Sequence, residues 1–167
     1  GNTTEVFQLS PEDCPDDLRK DWVKTIQGPS GYIKNQDSYI ETLKEEIKNL
    51  ESSGAGVACF IADSIFSSDG IYQIPEGFLK NIYQEIRKHG GIVIADEVQS
   101  GFGRLGDHMW GYQDDCVSPD ILTMGKPMGN GHPVSALLTQ RRIIDSLDEA
   151  YDGSAYFNTF GGNPVSA

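Results

Sequence analysis

Positive charge is what this sequence has least of. Against 25 Asp and Glu stand only 13 Lys and Arg, a formal net charge of −12. The basic footprint of a nucleic-acid binder is missing, and so is the attraction to an anionic membrane surface. The acidity reads as a solvated surface that aids solubility. No apolar run approaches the roughly 20 residues of a spanning helix, and no secretory leader opens the chain. Cysteine is sparse as well. Cys14, Cys59 and Cys116 are odd in number and widely spaced, which fits reduced thiols in a cytoplasmic protein better than a disulfide framework. The histidines His89, His108 and His132 keep no metal-ligand spacing with Cys116, so no metal site is expected.

What remains is ordinary globular material. Of 167 residues, 38% are hydrophobic, enough for one domain with a core. Residues 1–36 are rich in Asp, Pro, Gly and Asn and read as loop, with a helical turn near Asp16 to Ile26. From Asp37 onward, Tyr39, Ile40, Leu43, Ile47 and Leu50 recur at helical spacing until Gly54. Gly56–Ala62 is an apolar run of strand length. Pro75–His89 is a second amphipathic helix closed by Gly90 and Gly91. Ile92–Ala95, Asp120–Thr123 and Pro133–Thr139 are further strands, and Gln140–Asp148 is another helix. Strands apolar throughout, alternating with helices, predict an α/β fold with a parallel sheet covered on both faces. Ligands of such sheets bind beyond the carboxyl ends of the strands. There the sequence supplies Asp63-Ser64, then Asp96-Glu97-Val98-Gln99, then Met124-Gly125-Lys126.

Asp96 and Lys126 carry the chemical interest. On spacing alone Asp96 can be a loop cap or a functional carboxylate, since an ionised group at the end of a buried strand needs a partner. Lys126, held between Gly125 and Pro127, can be a solvated lysine or a reactive amine. Together they suit the two ends of a pyridine-aldehyde cofactor, whose ring nitrogen needs an anion and whose aldehyde needs a primary amine. Two rival motifs fit less well. Gly101-Phe102-Gly103-Arg104-Leu105-Gly106 has dinucleotide-fingerprint spacing, but it neither follows the strand directly nor opens a helix. Ile92–Glu97 looks like the acidic strand of a phosphate-loop NTPase, yet no glycine-lysine phosphate loop occurs in the chain.

Three ordered segments then resemble one family. Ala95–Gly106 looks like the central signature of class III aminotransferases, pyridoxal-phosphate (PLP) enzymes of the aspartate-aminotransferase fold. Pro119–Lys126 matches the family's lysine segment, and Phe157–Pro164 its later phosphate-contacting segment. The likeness runs over roughly residues 55–167. Gly125–Pro133 is most similar to a subgroup of alanine–glyoxylate aminotransferase 2-like proteins and phospho-lyases acting on phosphorylated amino alcohols or amino acids. The resemblance implies the large domain of a fold-type I enzyme, a mostly parallel sheet flanked by helices. Beyond the loop-rich segment 1–36, which composition marks and the resemblance does not reach, it implies a partial cofactor-binding domain over 37–167.

The same resemblance implies the residue roles. Lys126 would be the Schiff-base lysine and proton carrier, and Asp96 would pair with the pyridinium nitrogen. Val98 would pack on the ring, Gln99 would bond its phenolic oxygen, and Thr159 would bond the cofactor phosphate of a partner subunit. A homodimer with its site at the interface follows, taking an amine or amino acid and a keto acid or aldehyde. Glu97 and Arg104 are read as ion-pair members shaping the loop. One departure stands out: many family members have Glu where this chain has Asp63, so transaminase and phospho-lyase both stay open. The family's upstream phosphate cup and downstream carboxylate-binding arginine are not recognisable here. The chain is therefore expected to be a fragment of a protein more than twice as long. A cytoplasmic location is expected, with a mitochondrial one left open. A non-catalytic scaffold is the remaining reading.

Overall fold

The computed structural model describes residues 3–10, 13–29, 36–72, 74–153, 158–159 and 161–165. Its centre is a four-stranded sheet in the order β1 (Cys59–Asp63), β2 (Ile92–Asp96), β3 (Ile121–Met124), β4 (Ala136–Thr139). The first three strands run parallel. β4 is antiparallel to β3. The reason is length: residues 125–135 join them, and a parallel return needs a crossover of a dozen residues or more, usually with a helix.

Two helices build the core against one face. α2 (Gln36–Ser52) buries Tyr39, Leu43 and Ile47 at helical spacing, and Gly54 ends it at a φ of +82°. α3 (Phe78–Lys88) buries Phe78, Leu79, Ile82, Tyr83 and Ile86. These side chains close on Val93 of β2, with Tyr39 and Phe78 edge to face at 5.1 Å. Burying a wholly inaccessible side chain such as Ile82 contributes about 2 to 3 kcal/mol. The helix starts three residues after Pro75. Its first N–H groups are capped from far away: the Asp115 carboxylate accepts from Gly77 N at 2.5 Å and Lys80 N at 2.9 Å.

The structure departs from expectation in three places. Among the described residues the sheet carries a core on one face only, and strand alternation splits its apolar residues into two sets. Phe60 and Val93 pack in the core built by α2 and α3, whereas Cys59, Ile61 and Leu137 on the other face are exposed. The last helix, α4 (Arg141–Ala150), buries none of its residues. In residues 3–10 and 13–29, mostly loop as composition suggests, the departure is local. A short helix α1 (Thr4–Gln8) forms there, and the turn expected near Asp16 shrinks to a 3-10 turn, Asp16–Leu18. Polar side chains hold this segment in place of a core. Gln8 bonds Leu18 O and Lys20 N, and Arg19 donates to the carbonyls of Gln8, Ser10 and Cys14.

Candidate active site

The register aligns the carboxyl ends of three strands. Asp63 pairs with Asp96, and Asp96 with Thr123. Asp96 Oδ1 accepts from Val98 N at 3.1 Å and from Thr123 Oγ1 at 3.3 Å. Both bonds fall on the same oxygen, so Oδ2 takes no hydrogen bond among the described residues. Lys126 follows β3 directly and opens a 3-10 turn, Lys126–Gly129. Its side chain is exposed, and Nζ donates to Gln99 Oε1 at 2.5 Å. Its φ is +39°, a left-handed value that costs a non-glycine residue roughly 1 to 3 kcal/mol. Such outliers gather where geometry serves function. Val98 lies against Gly125, its Cγ1 3.6 Å from where a Cβ on that glycine would sit.

Asp96, Val98, Gln99 and Lys126 are thus brought together at one edge. Thr159 is exposed and bonds none of those four among the described residues. Phe157 and Phe160 of its segment lie outside the described residues. An amine in reach of an amide, a carboxylate with one oxygen free and an aliphatic side chain between them can hold a flat heteroaromatic aldehyde. The donor set therefore fits pyridoxal phosphate.

Asp63 is committed elsewhere. Its oxygens accept from Ile65 N at 3.0 Å, from Ser67 N at 2.8 Å and from Ser67 Oγ, which closes its own loop. Glu97 and Arg104 correct an expectation. Neither forms an ion pair among the described residues. Arg104 is exposed, and Glu97 is wholly buried on neutral donors instead. The weak signal for this was the flanking glycines Gly101 and Gly111, which allow the backbone to close around a side chain.

The geometry can now be set beside known proteins. Residues 20–167 match the family model for class III aminotransferases. The chain belongs to the class III aminotransferases. Family likeness therefore begins well before residue 55. Alanine–glyoxylate aminotransferase 2, mitochondrial, of Homo sapiens is 42% identical over 93% of this chain and 32% of its own length. Ethanolamine-phosphate phospho-lyase homolog 1 of Caenorhabditis elegans is 37% identical over 99% of the chain and 40% of its own. Among solved structures, a phospholyase from Arthrobacter in complex with phosphoethanolamine superposes with a TM-score of 0.88. It is 39% identical and covers 99% of this chain and 40% of its own. The taurine:2-oxoglutarate aminotransferase of Bifidobacterium kashiwanohense, in complex with PLP and glutamate, gives 0.61 at 30% identity, over 71% of this chain and 28% of that one. This class III chain spans about a third to two fifths of the length of such relatives. The family is PLP-dependent. Among the described residues, no helix is long and apolar enough to cross a membrane, and no acidic, cysteine or histidine cluster could hold a metal.

Proposed function

We propose that the protein carrying this chain is a PLP-dependent aminotransferase whose cofactor is joined to Lys126. One observation carries the reading: among the described residues Asp96 keeps Oδ2 free of hydrogen bonds, at the strand end beside the loop that presents the Lys126 amine. Asp96 Oδ2 accepts the ring-nitrogen hydrogen bond and keeps that nitrogen protonated. Val98 supports one ring face, because an aliphatic contact does not compete for its charge. Gln99, already within bonding reach of Lys126 Nζ, turns its amide to the phenolic oxygen. Lys126 holds the cofactor through Nζ, and the same nitrogen moves the proton at the substrate's α-carbon. When bound, pyridoxal phosphate supplies the electron sink for the charge left at that carbon.

Thr159 is the residue for the phosphate of a partner subunit. Its exposure, with no bond to the other four among the described residues, supports that role. A homodimer with the site at the interface, a cofactor-binding domain from residue 37 and a cytoplasmic location complete the proposal. The substrates are an amine or amino acid and a keto acid or aldehyde. The test is to titrate the full-length protein with pyridoxal phosphate, reduce with borohydride and map the adduct. A label away from Lys126, or none, overturns the reading, as does a Lys126→Ala variant with full turnover.

A specific likeness favours a second reading. The Arthrobacter phospholyase superposes at 0.88 over 99% of this chain, against 0.77 over the same share for a Bacillus anthracis aminotransferase. A phospho-lyase would share every step up to proton removal and then expel phosphate. Inorganic phosphate released from ethanolamine phosphate, without amino transfer from alanine to glyoxylate, would select it.

A further inference from the structure

One carboxylate at this edge has no task in that scheme. Glu97 follows Asp96 and is 0% exposed. Alternation along the strand turns it to the helix-covered side with Val93 and Ala95, while Asp96 faces the other way. Ionised carboxylates are costly to bury without partners. Glu97 has four, from three segments. Oε1 accepts from Ser64 Oγ at 2.6 Å and Tyr112 N at 2.9 Å. Oε2 accepts from Ser100 Oγ at 2.7 Å and Gly111 N at 2.8 Å. Its backbone is fixed too, with Glu97 N donating to Thr123 O and Gly101 N to Glu97 O. The surrounding chain is packed tightly enough to need glycine. A Cβ on Gly101 would lie 2.7 Å from Glu97 O, and one on Gly111 would lie 2.9 Å from Ser64 Cβ.

We propose that Glu97 is a positioning residue of the cofactor site: by gathering donors from three segments onto one buried carboxylate, it fixes the chain path through Asp96, Val98 and Gln99. The inference rests on the cofactor reading above. Chemistry makes it specific. Each carboxylate oxygen receives one backbone N–H, which cannot reverse its polarity as a hydroxyl can. A glutamine has the same shape but only one acceptor atom. Whichever way its amide turns, Gly111 N or Tyr112 N meets an NH₂. A residue that merely filled space would tolerate that exchange.

The experiment compares Glu97→Gln with Asp120→Asn in the full-length protein. Asp120 is also a buried carboxylate, at the opposite edge of the sheet. Two quantities are read: amide hydrogen exchange at residues 98–100, and the dissociation constant for pyridoxal phosphate from absorbance. Glu97→Gln should speed exchange and weaken the cofactor by about tenfold each, the scale of a buried donor left facing another. Asp120→Asn should change both by less than about twofold, as a distant independent site. Equal weakening by the two variants, or no change in Glu97→Gln, overturns the proposal. If the wild type takes no label at Lys126, the cofactor reading falls, and exchange alone decides for or against Glu97. Should Glu97→Gln not fold, Ser64→Ala and Ser100→Ala each remove one hydroxyl donor. Faster exchange at 98–100 in both then supports the role, and unchanged exchange in both refutes it.

Discussion

The two edges of the sheet each bury a carboxylate and satisfy it in opposite ways. At the amino edge, Asp120 meets two guanidiniums, Arg87 at 3.1 Å and Arg142 at 2.9 Å, as well as Val93 N at 3.0 Å. It ties α3, β2 and α4 together through paired charge. At the carboxyl edge, Glu97 meets hydroxyls and backbone N–H groups and, among the described residues, no cation. Reach explains the first arrangement: long arginines can span from exposed helices to a strand end. Burial explains the second. Glu97 lies inside, on the helix-covered side and turned away from Asp96, where the donors at hand are two hydroxyls and two backbone N–H groups. Fixed dipoles of this kind can stabilise a buried charge without a counter-ion. The edge built with ion pairs joins elements through long side chains, and the edge built with dipoles draws the backbone itself around a carboxylate.

That contrast can be broken most readily by truncation. Glu97→Ala strands four donors, two of them backbone, and should lower unfolding free energy by on the order of 4 kcal/mol. Asp120→Ala should cost about 2 kcal/mol, because water can take over arginines whose side chains are 41% and 61% exposed. Urea unfolding measures both, and equal losses would erase the distinction. Only the Asp120 difference should shrink as salt is raised.

Next in size is Gly111→Ala. The added methyl meets Ser64 and Ser100 inside the Glu97 web, and overpacking of this kind costs about 2 to 3 kcal/mol. A thermal melt within a degree of wild type would mean that the web yields easily.

The smallest effect is on the alkaline side. Burial raises the Tyr83 phenol above its ordinary value of 10.0, and the negative charge of Glu97 pushes it further the same way. A raised pKa gives stability that is fully present below the unfolded value and lost as pH rises through the folded one. Wild-type stability should therefore fall above about pH 10 by up to about 1.4 kcal/mol per unit more than that of Tyr83→Phe. Parallel alkaline limbs for the two proteins would mean that the Tyr83 phenol is not held neutral by its burial.

The elements were legible where periodicity speaks. Ile92–Ala95 is a strand by its unbroken apolar run, and Tyr39, Leu43 and Ile47 mark α2 by spacing alone. Asp96 and Lys126 were legible as strand-end groups because the rule for parallel sheets directs attention there. What the sequence hid is non-local. The donors to Glu97 lie as far off as Ser64 and Tyr112, so a local ion pair was the nearer expectation. Asp115 caps α3 from 35 residues beyond Lys80. The direction of β4 depended on a connection whose length mattered more than its composition. The bare face of the sheet was invisible because an apolar strand looks the same whether one side or both are covered.

The left-handed backbone at Lys126 has a consequence for how damage there would look. A glycine at that position would relieve the strain and remove the amine in one exchange. Under the role proposed for Lys126, loss of the chemistry and gain in stability would come together. A cell could then accumulate an abundant, well-folded and inert protein that quality control has no reason to clear.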